Sequence, residues 1–237
     1  MTTRPPPIDK ETRKRFRGYS GARPDVMRLI SAPPRRVLDV GCGAGMTAAL
    51  ITEKYPGAVV IGIEPDIALA NLARARMSAV IDGRVDDPSV QAQLKQDGSF
   101  DLIICADVLE HLAEPAEVLM RMTAMLTEGG HLITSIPNIR HVSTFVSLGL
   151  LGTWPARSRG IHDRTHLRFF ARGDILALGR SAGLRLVRER RNLRLIEAAA
   201  WSTIPARLFD FWPFRAFLTF QYLHLWARMR DGDDHPA

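Results

Sequence analysis

The stretch Val37-Leu38-Asp39-Val40-Gly41-Cys42-Gly43-Ala44-Gly45 decides how this chain is read. An apolar run of strand type stops at glycines spaced by single residues, and residues 46–55 (MTAALITEKY) continue it as a helix. A strand, a glycine turn and a helix in that order build a small concavity. Glycine carries no side chain to keep a ligand off the backbone, and the first amides of the helix point back at the turn. The pocket is therefore of nucleotide type. The dinucleotide fingerprint would place its third glycine one position later, where this chain has Met46, so the glycine triplet alone does not choose the ligand.

Outward from that turn, apolar runs alternate with helical pieces. A short helix over 24–30 precedes the first strand. Strands over 58–64, 78–82 and 100–106 are separated by helices over 66–77 and 88–96, and a helix over 114–126 leads through the turn Glu128-Gly129-Gly130 to a strand over 131–137. Apolar runs bounded by helices describe βαβ units around a parallel sheet buried on both faces, which predicts a doubly wound α/β fold. The alternation breaks over 139–170, read as a lid insertion above the carboxyl edge of the sheet. It resumes with a helix over 172–183 and a strand over 184–190, and residues 220–227 read as a last strand, antiparallel to the rest. The domain reading is a basic arm over 1–22, one domain over 23–230 with an aromatic insertion at 192–216, and a disordered tail over 231–237.

With 237 residues, 46% hydrophobic and 24% charged, the chain has the composition of an ordinary globule, which excludes disorder, collagen and coiled coil. Two cysteines, Cys42 and Cys105, are too few for a disulfide scaffold or a four-cysteine zinc site, and the polar, proline-rich start does not resemble a signal peptide. These features set the expectation of a cytoplasmic protein. The net charge of +7 rests almost wholly on arginines scattered along the chain, a weak pointer to an anionic partner.

Acidic residues choose the ligand of the glycine turn. Glu64 ends the second strand, where an acidic residue commonly holds ribose hydroxyls, and Asp39 flanks the same pocket. Two carboxylates beside a pyrophosphate are poor electrostatics; a nucleoside carrying a positive group suits them. Together with residues 100–112 (FDLIICADVLEHL) and 126–138 (LTEGGHLITSIPN), these segments resemble, in this order, the class I S-adenosylmethionine-dependent methyltransferases over residues 24–191. The resemblance implies a Rossmann-like fold and S-adenosylmethionine as cofactor. It implies that Gly41, Gly43 and Gly45 line the methionine moiety, Asp39 reaches its amino group, Glu64 holds the ribose and Pro65 lies against adenine. The backbone at Ala106 and Asp107 would close the site. Relatives commonly carry Gly-Asp after the third strand; here Gly83-Arg84 follows, and Asp82 is the substitute for the adenine contact. Residues 135–143 and 160–170 resemble a bacterial subgroup associated with sugar and glycan tailoring.

Methyl transfer needs a nucleophile held in line with the methyl group, plus a base if the nucleophile is a hydroxyl. His111, His141, His162 and His166 follow strands whose carboxyl ends face the pocket, and His166 and His141 are the preferred catalytic candidates. For each of them a hydrogen-bonded structural role is the competing reading. Arg140, Arg164 and Arg168, with His111, are the candidate substrate-binding groups, while Arg140, Arg164 and Arg168 could equally be solvated or paired with Asp163. No metal site is expected, because His162-Asp163 lacks a compact ligand set and the arginines would repel a cation.

The leading function is O-methylation of a small-molecule hydroxyl such as a sugar. A quinone, lipid-linked or RNA acceptor and a non-catalytic binding module are the alternatives. Residues 106–111 lack the Asn/Asp-Pro-Pro-aromatic motif of base amino-group methylation, which argues against nucleic acid. The apolar run 142–151 is read as a wall of the acceptor pocket. The aromatic segment 201–220 is read as core or a homodimer seam, with peripheral membrane contact as the rival reading.

Overall fold

In the computed structural model, which describes residues 21–195, 210–211 and 214–229, the strand before the glycine turn is β1 (Arg36–Val40). The proposed basic arm, the tail and most of the aromatic segment lie outside the described residues. After a short α1 (Pro24–Met27), the order is β1, α2 (Met46–Lys54), β2 (Val59–Glu64), α3 (Ile67–Ala73), β3 (Ala79–Asp82), α4 (Pro88–Asp97) and β4 (Phe100–Ala106). A 3-10 turn (Leu109–His111) leads to α5 (Pro115–Ala124) and β5 (Leu126–Pro137). Then come α6 (Val142–Thr144), a π turn (Phe145–Leu150), α7 (Arg172–Ser181), β6 (Leu184–Leu193), α8 (Arg215–Leu218) and β7 (Thr219–Arg228).

Local chemistry explains these boundaries. Asp66 caps α3 by accepting from Ala68 N at 2.8 Å and Leu69 N at 3.1 Å, and Pro88 opens α4 at a position whose N–H would have no helical partner. The strands form a seven-stranded sheet in the order β3-β2-β1-β4-β5-β7-β6. β1 is parallel to β2 and to β4, β2 is parallel to β3, and β6 and β7 are antiparallel to each other. This is the doubly wound, Rossmann-like arrangement with an antiparallel end. The central strands have no polar face because helices cover both sides: Val37, Leu38, Val60, Ile63, Ile103 and Ile104 are all buried.

The chain divides into two compact units. The first holds the chain up to Cys105 together with Arg121–Ile133; the second holds Ala106–Met120 and everything from Thr134 on. In the second unit β6 and β7 pair through two register irregularities, and Trp226 is buried with its indole N–H donating to Thr134 Oγ1 at 2.9 Å.

Three local expectations are corrected. The first helix stops at Met27, three residues short of the reading from sequence. The segment Glu128-Gly129-Gly130 is no turn between elements but part of β5, which starts at Leu126. Gly129 takes a left-handed φ of 75°, and a Cβ at Gly130 would stand 3.0 Å from Thr127 O and 3.2 Å from Phe100 O, so glycine is what lets the strand run through a crowded kink. The run 142–151 is largely solvent-facing: Phe145, Val146, Leu148, Leu150 and Leu151 are all exposed. The segment 139–170 leaves β5 and is tied at its base, where Ile139 N donates to Phe170 O at 2.9 Å and Asn138 bridges to Phe170.

Candidate functional site

In the first unit, β1 and β2 end side by side, Val40 opposite Ile63, and the chain turns through Gly41, Gly43 and Gly45. All three adopt left-handed φ, at 68°, 54° and 72°. A side chain at these positions would be strained, so the glycines are required by the backbone as well as by any ligand. Gly41 N and Cys42 N both donate to Ile63 O, at 2.9 and 3.0 Å, which pins the turn to β2. Glu64, buried, braces it: Oε2 accepts from Gly43 N at 2.8 Å and Oε1 from Asp66 N at 3.0 Å. A carboxylate oxygen accepts more than one hydrogen bond, so the brace leaves capacity for a ligand hydroxyl.

Asp39 is buried at the foot of this turn, and its Oδ2 has no hydrogen-bond partner among the described residues. Burial pushes its carboxyl up to about 7; Arg23 pulls it down, and the charge of Glu64 adds to the rise. Burial likewise raises Glu64, against the two backbone N–H donors that lower it. Two carboxyls that resist ionising together form a place where a cationic ligand group is favoured. Pro65 and Ile67 are exposed beside Glu64, Ile67 at 67%. Asp82 lies opposite Glu64 across the β2–β3 ladder, but Arg74 Nη2 contacts both of its carboxylate oxygens, at 2.7 and 2.6 Å.

In the second unit a shallow depression is lined by Glu110, Pro137, Ile139, Ile161, His166, Arg168, Phe169 and Phe170. The residues following β4 form one side of it. Asp107 is the only non-glycine residue with positive φ, 59°, among those described; its N–H donates to Ser135 O at 2.9 Å and its Oδ1 accepts from Gln221 Nε2. Glu110 is 2% exposed, and its carbonyl accepts from Leu167 N at 2.8 Å and Arg168 N at 3.1 Å, which clamps the turn onto the segment carrying His166. His111 and His166 meet edge to face, with ring centroids 4.7 Å apart. His166 Nδ1 lies 3.0 Å from Ile161 O, an atom that can only accept, so Nδ1 carries the hydrogen and Nε2 the lone pair. Burial holds the His166 imidazole below its usual value, as does the neighbouring His111, against the backbone bond and the charges of Asp163 and Asp107.

His141 does not fit the base's role expected of it. It is fully buried; Nδ1 accepts from Ser143 N at 3.2 Å as the cap of α6, and Nε2 donates to Arg194 O at 2.8 Å. Both nitrogens are used by the fold. His162 is also buried, with Nε2 3.0 Å from Thr144 Oγ1 and Trp154 edge-on at 5.1 Å. Asp163 pairs with no arginine among the described ion pairs; its Oδ1 accepts from Thr165 N and from Thr165 Oγ1, the latter at 2.7 Å. Of the described arginines, Arg168 alone lines the cleft, with Nη2 on Ala113 O at 2.6 Å and Glu114 Oε1 at 3.6 Å. Arg140 lies 5.3 Å from the Phe217 ring centre, and Arg164 is exposed.

The family model for the methyltransferase domain matches residues 12–189. The chain belongs to that family. Similar proteins include the ubiquinone biosynthesis O-methyltransferases of Bordetella avium, 32% identical over 155 residues covering 63% of this chain and 62% of that one, and of Paracidovorax citrulli, 32% identical over 166 residues covering 66% of each. The chain thus matches under two thirds of the length of these relatives. Among solved structures, an S-adenosylmethionine-dependent methyltransferase of Mesorhizobium loti shares the fold at a TM-score of 0.59 and 18% identity, over 89% of this chain and all of that one. An O-methyltransferase family protein of Burkholderia thailandensis does so at 0.59 and 16%, over 95% of this chain and 61% of that one.

S-adenosylmethionine is the cofactor such a domain implies, and the first unit fits it. The partnerless Oδ2 of Asp39 answers a positive group, and the glycine turn leaves backbone uncovered. Reading the sequence missed Ile67, whose signal was an apolar residue immediately after the Glu64-Pro65-Asp66 cap. It also missed Glu110, which looked like one charge in a turn and is buried against His166's segment.

Among the described residues no helix is long and apolar enough to cross a membrane.

Proposed function

We propose that this methyltransferase domain transfers a methyl group from S-adenosylmethionine to a hydroxyl of a small acceptor held in the cleft around His166. The observation that carries the reading is the pairing of two kinds of site in one fold. One is a glycine turn flanked by buried carboxyls suited to a cationic nucleoside; the other is a shallow cleft of mixed polar and apolar lining with an imidazole fixed at its wall. S-adenosylmethionine, when bound, supplies an electrophilic methyl group on a positively charged sulfur. Asp39 holds the cationic end of the cofactor, Glu64 its ribose hydroxyls, and Pro65 with Ile67 its adenine. His166, its ring fixed by Ile161 O, receives the hydrogen bond of the acceptor hydroxyl through Nε2, and Arg168 stands at the rim for an anionic substituent.

Ile139, Ile161, Phe169 and Phe170 in the lining favour a flat phenolic ring of the kind found on quinone precursors over a polyhydroxylated sugar, whose many hydroxyls would need polar partners. The names of the relatives point the same way. This departs from the sugar acceptor that the sequence led us to expect.

Labelled methyl transfer tests it, with catechol-type phenols in one arm and sugars in the other. Transfer to phenols is expected, and His166→Ala should lower it about 10²–10⁴-fold while S-adenosylhomocysteine affinity by calorimetry stays unchanged. Tight NAD binding with no response to S-adenosylhomocysteine would sink the proposal.

A further inference from the structure

We propose that Gln221 is a positioning residue for the acceptor cleft: from β7 it holds Asp107, and through Asp107 the turn over 107–111 that forms one wall. Its effect on methyl transfer rests on the reading of this cleft as the acceptor site; the tie itself does not.

Asp107 follows β4 directly and holds φ at 59°. A left-handed conformation at a non-glycine residue persists only where the surroundings impose it. Two bonds do so here. Asp107 N donates to Ser135 O on β5 at 2.9 Å, and Asp107 Oδ1 accepts from Gln221 Nε2 on β7. Without the second bond the residue can relax towards an ordinary φ, and the turn swings with it. The Glu110 carbonyl accepts from Leu167 N and Arg168 N, so a displaced turn carries the His166 segment along.

Gln221 is suited to this task. It is 6% exposed on a strand that lies between β5 and β6, so its amide must be satisfied inside the protein. Asn192 stands opposite it on β6 and directs Nδ2 to Gln221 Oε1 at 3.5 Å, which orients the amide with its donors towards Asp107. An amide donating to a carboxylate makes a charge-assisted bond, stronger than a neutral one. The carboxylate so held also acts on the imidazole: the charge of Asp107 works against the burial that lowers His166. The two residues before Gln221 hold the opposite wall. Asn138 N donates to Phe220 O at 3.0 Å and Asn138 Nδ2 to Thr219 O at 2.8 Å, where segment 139–170 leaves β5. Both walls are therefore set by residues 219–221. The Gln221 tie is made by a side chain alone, so it can be cut with the β6–β7 ladder intact.

Gln221→Met keeps the length of the side chain and removes the donor. In the ligand-free full chain, hydrogen exchange at Asp107, Leu167 and Arg168 should quicken about tenfold, with Gly41 and Cys42 as in the parent. For catechol as acceptor, kcat should fall about tenfold. Glycine adopts positive φ unaided, so in an Asp107→Gly background the same substitution should change exchange and kcat less than about twofold. Gln221→Glu sets two carboxyls face to face, and a shared proton restores the bond. Its exchange and kcat, each relative to the parent at the same pH, should approach parent values near about pH 5 and depart from them by about pH 8. If Gln221→Met does not fold, the pH profile of Gln221→Glu decides. Unchanged exchange in Gln221→Met, equal effects in both backgrounds, or a flat Gln221→Glu profile overturns the positioning role. Coupled exchange in a parent that methylates no phenol or sugar keeps the tie and removes the proposed function. Methylation by the parent with uncoupled exchange does the reverse.

Discussion

At the scale of single residues, Asp39 concentrates the electrostatic tension of the cofactor cradle. An unfolded aspartate loses its proton near pH 4, whereas burial holds this one until about 7. Between those limits the folded chain keeps a proton that the unfolded chain has released. The contribution of Asp39 to the stability of the ligand-free protein therefore falls as pH rises from about 4 to about 7. Measured relative to Asp39→Asn, the melting temperature should drop across that window, by on the order of 5 °C. A difference that rises instead would show that Asp39 is ionised in the fold. Bound cofactor should reverse the trend, because a cation beside Oδ2 favours the carboxylate. Asp39 is legible as a residue of the motif and illegible as a titrating group: it is buried, and the groups whose charges act on it, Arg23 and Glu64, stand far from it in the chain.

At the scale of elements, α7 shows packing overriding propensity. Gly179 sits inside that helix, where alanine would be favoured by about 1 kcal/mol. A Cβ there would stand 2.6 Å from Trp226 Cη2 and Cζ3 and 3.1 Å from Cε3. The indole is 1% exposed and tethered through its N–H to Thr134 Oγ1, so it cannot step aside. Overpacking of this kind costs about 1–3 kcal/mol. Gly179→Ala is thus expected to destabilise the protein by about 1 kcal/mol or more in urea unfolding, against its helix propensity; a stabilised variant would mean that the helix shifts along β7. The helix itself was readable from its periodicity. The reason for its glycine was not, because Trp226 arrives from the far end of the chain.

At the scale of the whole molecule, hydrogen exchange can read the two compact units separately. S-adenosylhomocysteine should slow exchange at residues 41–45 and 64–69, and a phenolic acceptor at 107–111 and 161–168. Protection of the Asp39 and Glu64 region by the phenol alone would move the acceptor away from His166 and refute that reading of the cleft. The order of strands and helices from β1 to β5, the glycine turn and the acidic ends of β1 and β2 followed from the sequence alone. Each depends on interactions between near neighbours: the continuous apolar runs of the strands, caps such as Asp66, and the left-handed φ that glycine tolerates. The division of labour among the histidines did not follow. His141, His162 and His166 look alike in the chain, yet two are closed by buried partners and only His166 lines the cleft. Glu110 and His111 reach His166 only after α5, β5 and the segment 139–170 have folded back to bring Leu167 and Arg168 onto the Glu110 carbonyl. A side chain's partners decide its chemistry, and when those partners lie far apart in sequence only the tertiary structure can supply them.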